Sequence, residues 1–140
     1  MTTEDIKALV RRIVEELQNQ HDLSAIDRYV SPTFVDHTAF PGTPPDRDGA
    51  KMFFKGFFEG VPDLRAEIHE QAAEGNKVFT YKTFHGTHTG TLMGIPATGK
   101  AFSVDLIDIL AVVDGQITEH WVVMDQLGLL QQLGVVPSQA

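Results

Sequence analysis

The sequence predicts an α+β domain in which helices come first and antiparallel strands follow. Three features carry that expectation. Apolar residues recur at helical spacing in the first sixty residues. From Leu64 onward, apolar and polar residues alternate with the period of a half-buried strand. Asp114-Gly115 then separates two such stretches with the residue pair that best closes a two-residue hairpin. Helices followed by strands place the helices on one face of a meander.

Thr2 and Asp5 read as a capping box opening a helix over residues 3–19, with Ile6, Leu9, Val10, Ile13, Val14 and Leu17 along one face. A shorter helix starts at Asp22, carries Leu23, Ile26 and Val30, and stops at Ser31-Pro32, because the residue before a proline disfavours helical geometry. Thr33–His37 reads as a short extended segment. Ala39–Asp48, with Pro41, Gly42, Pro44 and Pro45, is a loop able to rise over a site. A third helix spans Arg47–Glu59, and Val61-Pro62-Asp63 ends it. Its residues Phe53, Phe54, Phe57 and Phe58 divide between core and pocket wall. Strands follow at Leu64–Ala73, Lys77–His88, Ala101–Val113 and Gln116–Asp125, with a terminal turn or helix over Gln126–Leu133.

A chain of 140 residues forms one domain, here residues 1–140, and 42% hydrophobic with 21% charged residues is an ordinary globular balance. Eleven basic and 19 acidic residues give 11 − 19 = −8, a field that repels nucleic acid and anionic membranes. The absence of cysteine excludes disulfides, zinc–thiolate sites and thiol catalysis. Met1–Val10 does not read as a secretory signal, and the apolar run Ile109–Val113 is too short to span a bilayer, so a cytoplasmic protein is expected.

Gly94-Ile95-Pro96-Ala97-Thr98-Gly99-Lys100-Ala101 fits a phosphate-binding loop until its eighth position, and a strand follows where that motif needs a helix. Nucleotide binding is rejected. His85 and His88 are three apart on a strand and point to opposite faces; no metal-ligand spacing appears, so no metal is expected. No Gly-x-Ser-x-Gly elbow is present, which leaves acid–base work by a carboxylate or histidine.

The last strand, Ile117-Thr118-Glu119-His120-Trp121-Val122-Val123-Met124-Asp125, is the informative segment. Without a bulge, period two puts Glu119, Trp121, Val123 and Asp125 on one face, opposite Asp105, Ile109 and Ala111 of the preceding strand. The residues admit two roles for Asp125: a desolvated acid/base beside Trp121, or the cap of the terminal helix. The other face then holds Leu106, Leu110, Val112, Thr118, Val122 and Met124, with Asp108 and His120 in the same layer. That apolar surface predicts a homodimer through the sheet.

Five segments in order resemble the SnoaL-like polyketide cyclase (ester cyclase) family of the NTF2-like superfamily over nearly the whole chain. They are Val35-Asp36-His37, Val61-Pro62-Asp63-Leu64, Gly86-Thr87-His88-Thr89-Gly90, Gly94–Gly99, and Asp114-Gly115-Gln116-Ile117 leading to Glu119-His120-Trp121 and Asp125. The resemblance implies a cone of helices on a strongly curved antiparallel sheet enclosing an apolar pocket. It implies cofactor-independent ring closure by intramolecular aldol condensation, with Asp125 matching the family's acid/base beside a carbonyl. His37 and His88 match recurring histidines near the pocket mouth, His37 as a catalytic candidate. Trp121, His88, Phe57 and Phe53 are the expected substrate contacts, and the ligand a hydrophobic small molecule. Two other readings stand beside this one: a non-catalytic binder using the same pocket, and an epoxide-opening hydrolase. The latter needs an Asp–Arg–Asp set, and Arg65 is the one arginine of the strand region.

Overall fold

In the computed structural model, which describes residues 1–137, the first amphipathic stretch forms helix α1, Thr3–Ile13, continued by a π-helical turn, Val14–Asn19. Thr2 and Asp5 make the reciprocal capping box. Ile6, Leu9, Val10 and Ile13 are buried. The wider π turn also brings Gln18 inward, where it is buried beside Val14 and Leu17. Helix α2, Ser24–Tyr29, ends ahead of Pro32, and the chain runs directly into strand β1, Val30–Asp36. Helix α3, Arg47–Gly60, is capped by Asp46 through Gly49 N–H. Strands β2 (Arg65–Glu74), β3 (Lys77–Thr87), β4 (Ala101–Val113) and β5 (Gln116–Met124) follow, then helix α4, Gln126–Gln132.

The α+β architecture is as expected, with one addition. The sheet order is β1-β5-β4-β3-β2, and β1 pairs parallel to β5 while the other pairings are antiparallel. A parallel neighbour needs a long crossover, and α3 with the β2–β4 meander supplies it. The sheet is therefore mixed and open. Among the described residues, no helix is long and apolar enough to cross a membrane.

The inner face of the sheet is set by one irregularity. On β4 the inward row is Phe102, Val104, Leu106, Asp108, Leu110 and Val112. Ile117 of β5 pairs with Val112 and is buried. The register then shifts, because Glu119 pairs with Ala111 and leaves Thr118 as the extra residue of a bulge. Beyond the bulge His120, Val122 and Met124 face the helices, and Glu119, Trp121 and Val123 face outward. The expected faces of β4 and β5 are thus corrected. Leu106, Leu110, Val112, Val122 and Met124 belong to the interior, and the apolar outer surface consists of Phe79, Tyr81, Ile107 and Val123 instead.

The four phenylalanines of α3 divide between the core and the cavity wall. Phe53 and Phe54 line the cavity, whereas Phe57 is buried and packs edge-on against Phe84 at 5.4 Å between centroids. Phe58 stacks on His21 at 4.2 Å. Phe57 is a core residue rather than a pocket wall. Its replacement, Phe57→Ala, should cost about 3–5 kcal/mol in chemical denaturation; an unchanged midpoint would contradict that placement.

Candidate functional site

The helices and the concave side of the sheet enclose an apolar cavity of about 200 Å³. Leu17, Phe34, Phe53, Phe54, Phe84, Leu106 and Val122 form much of its wall, and Thr38, Phe40 and Thr43 of the β1–α3 loop close over one side. Two polar groups enter this lining.

One is the pair Asp36 and His120. Parallel register sets Asp36 at the end of β1 beside His120 of β5. The His120 Nδ1 lies 3.0 Å from Asp36 Oδ1. The Thr38 backbone N–H donates to the same oxygen at 3.1 Å, and Val122 N–H donates to Thr38 Oγ1 at 2.9 Å. Burial would raise the Asp36 carboxyl, but the hydrogen bond and charge of His120, with the Thr38 donors, outweigh it and hold the carboxyl below its ordinary value. Asp36 is therefore a carboxylate near neutrality and can only accept, so Nδ1 carries the proton. On the neutral ring the other nitrogen, Nε2, is a lone-pair acceptor, and His120 lines the cavity.

The second group is a buried ion pair across β3 and β4. Lys82 Nζ lies 2.7 Å from Asp108 Oδ2 and donates to Gln18 Oε1 at 3.1 Å. Lys82, Asp108 and Gln18 are only 1%, 4% and 6% exposed. Register places Asp108 opposite Thr80, so Lys82 is its diagonal neighbour on the same face.

The residues expected at the site fall elsewhere, with one exception: Phe53 lines the cavity. His120 and Asp108, expected together on the outer face, share a layer on the inner face, and each pairs with a different partner. Asp125 caps α4, accepting from Gly128 N–H at 2.9 Å, and its side chain is exposed rather than at the bottom of the cavity. Trp121 is on the outer face, stacked on His37 at 4.5 Å. His37 also bonds Glu119 at 3.0 Å there, away from the cavity. His88 is fully buried but does not line the cavity; its ring ties the β3–β4 connection through Thr98 Oγ1 at 3.0 Å and Ile95 O at 3.2 Å. The Thr118 bulge turns Trp121 to the outer face, and Asp125 lies beyond the end of β5, where it caps α4.

Asp36, His120, Asp108, Lys82 and Gln18 were not expected to form the site. Asp36 and His120 sit next to His37 and Trp121 in the two motifs that were singled out, one residue away in each. Lys82 could have been found as a charge in the inward row Val78, Thr80, Phe84, with Asp108 available on the adjoining strand to neutralise it. Among the described residues no cluster of histidines and carboxylates could hold a metal ion.

A helix-capped concave sheet around an apolar cavity, entered by a few convergent polar groups, defines a small-molecule-binding α+β domain. Comparison with known proteins makes this specific. The family model for SnoaL-like polyketide cyclase matches residues 8–133. Aklanonic acid methyl ester cyclase DauD of Streptomyces sp. (strain C5) is 32% identical over 130 residues, covering 90% of this chain and 80% of that protein. Nogalonic acid methyl ester cyclase of Streptomyces nogalater is 31% identical over 78% of this chain and 83% of its own length. The structure of TsrD from Streptomyces laurentii superposes with a TM-score of 0.87 at 30% identity, covering 97% of this chain and 99% of that one. The chain belongs to the SnoaL-like polyketide cyclase family.

Two outcomes follow from the geometry. Asp125→Ala should lose about 1 kcal/mol of stability, the usual value of a helix cap, and leave ligand affinity unchanged by calorimetry; a loss of binding would return Asp125 to the site. Asp36 has a lower pKa folded than unfolded, so its stabilisation is complete above about pH 4 and is lost as pH falls through the folded value. Melting temperatures of Asp36→Asn should accordingly fall less steeply between about pH 5 and pH 3 than those of the wild type, and identical slopes would contradict the pairing.

Proposed function

We propose that the protein is a ring-closing cyclase acting on a polyketide-type carbonyl compound, with His120 as the acid/base and Asp36 as the group that orients it. The observation that carries this reading is the Nδ1–Asp36 hydrogen bond of 3.0 Å, which leaves Nε2 as an acceptor in an apolar cavity. The relatives named as methyl ester cyclases support the reaction class. An acid/base is what such a reaction requires. His120 Nε2 takes the proton from a carbon flanked by carbonyls, and the enolate carbon attacks a ketone carbon of the same molecule. The resulting alkoxide receives the proton back from Nε2, so the cycle consumes no proton. A preformed cavity that holds both carbons in contact contributes by proximity. An imidazole suits this step because one ring nitrogen can hold a proton toward Asp36 while the other accepts one from the substrate.

His120→Gln keeps the hydrogen bond to Asp36 within reach but removes the base. Ring closure of a nogalonic- or aklanonic-type methyl ester should slow by about 10²–10⁴-fold, with the folded state retained by circular dichroism. A His120→Gln protein as fast as the wild type would remove the acid/base assignment. A wild type that binds such esters without turnover would leave the non-catalytic binder.

We also propose a homodimer through the outer sheet face, supported by the exposure of Phe79, Tyr81, Ile107 and Val123, the last 78% exposed. Sedimentation at micromolar concentration should give twice the chain mass, and a monomer there would contradict this pairing.

A further inference from the structure

The outer face of the sheet carries a row of polar side chains used by neither the cavity nor the core. Ser103 of β4 and His85 of β3 are direct cross-strand partners, and Arg65 of β2 pairs with His85 on its other side. Glu67 stands two residues along β2 from Arg65, so all four side chains share one face. His85 Nδ1 lies 2.8 Å from Ser103 Oγ, and His85 Nε2 lies 2.9 Å from Glu67 Oε1. Ser103 is exposed. Its backbone is held from the far side by Gln132 of α4, which accepts from its N–H and donates to its C=O, both at 2.9 Å.

The acceptors fix where the protons lie. The hydrogen bond from His85 holds the Glu67 carboxyl below its ordinary value, so Glu67 is a carboxylate near neutrality and can only accept. His85 therefore carries its ring proton on Nε2, and the lone pair of Nδ1 receives the Ser103 O–H. The neighbouring row runs the other way. There Thr83 Oγ1 donates to Asp105 Oδ1 at 2.6 Å, with His69 Nε2 2.6 Å from the same Thr83 oxygen. That hydroxyl points its proton at a carboxylate, and Thr83 is buried. Of the two rows, the one at Ser103 combines a reachable hydroxyl, a base aimed at its proton and a carboxylate that orients the base. This is the arrangement that activates a serine, whatever its order in the chain. No nucleophile elbow marks it in the sequence, because sheet register alone brings β2, β3 and β4 together here. Arg65 has no ion pair among the described residues, and its charge already reaches Glu67, which leaves the guanidinium available to a developing oxyanion. The row lies four residues along β3 from Tyr81 and four along β4 from Ile107, at the margin of the exposed apolar patch.

We propose that Ser103, His85 and Glu67 form a second site that hydrolyses small aryl esters, with Ser103 as nucleophile, His85 as base and Glu67 as the group that orients it. Ser103 Oγ bonds to the ester carbonyl carbon and gives its proton to His85 Nδ1. The bond from that carbon to the aryl oxygen breaks, and the phenol leaves with the proton from Nδ1. Water then attacks the acyl-serine, passes a proton to Nδ1, and Ser103 Oγ recovers it as the carboxylic acid departs. An open sheet face suits small acyl groups with good leaving groups. The site rests neither on the cavity nor on the chemistry of His120.

The test is labelling of the full chain with an alkyl fluorophosphonate, which phosphonylates serines that a neighbouring base activates, mapped by mass spectrometry. The wild type should carry the label on Ser103 and not on Ser24 or Ser31. Acid-quenched reactions with 4-nitrophenyl acetate should show acetyl on the same residue. His85→Gln should slow labelling by about 10²-fold or more, the usual contribution of a general base. Ser103→Ala should lose both adducts. These side chains lie on the sheet surface, and circular dichroism checks that both variants fold. A wild type unlabelled at Ser103, label spread evenly over the serines, or an unchanged labelling rate in folded His85→Gln would each overturn the proposal. The wild-type map decides the matter even where a variant does not fold.

Discussion

Thr118 is the residue on which the arrangement of the cavity depends. A strand shows alternate residues to alternate faces, so one extra residue exchanges the faces of everything that follows it. Between Ile117 and Glu119 the pairing with β4 steps past Thr118. From that step onward His120, Val122 and Met124 look toward the helices, and Trp121 and Val123 look outward. The parallel pairing of β1 then places Asp36 beside His120. With an unbroken β5 the cavity would present Glu119 and Trp121 in place of His120, and Asp36 would have no imidazole to hold. The Asp36–His120 pair is therefore a product of sheet register more than of any local motif.

The interior holds a second departure from an apolar core. Three polar side chains, Gln18, Lys82 and Asp108, meet at the sheet centre where Val78, Phe84 and Leu106 are also buried. A buried ion pair gives little net stability against well-packed hydrocarbon, because desolvation offsets most of the attraction. The Lys82–Asp108 pair is shielded from water, whereas the His120 and Asp36 side chains remain 22% and 19% exposed.

Much of the fold was legible in the sequence. The capping box at Thr2, the helix ending before Pro32, the aromatic helix α3 and the Asp114-Gly115 hairpin all follow from local rules that the structure obeys. The resemblance to the cyclase family was legible too, since it rests on segments spread along the chain. The site was less so, and the reason lies in particular residues. Both faces of β5 carry apolar side chains: Trp121 and Val123 on one, Val122 and Met124 on the other. Alternation alone could not choose between them, and no glycine marks the bulge. The same holds for β3, where Phe79 and Tyr81 make the outward row read as apolar as Val78, Lys82 and Phe84. Asp125 offered both a carboxylate after a tryptophan and a cap before Gly128, and the cap is the role its geometry adopts. The parallel entry of β1 was illegible for a different reason. Val30–Asp36 is a short segment, and its partner lies more than eighty residues further along the chain.

The central claim is that His120, protonated on Nδ1, faces the ligand while Trp121 faces away. Nitrogen-detected NMR of the histidine rings and the single indole tests it directly, with 2-naphthol added in steps. The account predicts an Nδ1–H tautomer for His120, a change at its Nε2 as the probe binds, and a Trp121 indole signal that stays in place. A shifting indole with an unresponsive His120 would contradict it, and would mean that the cavity opens on the other face of the strand.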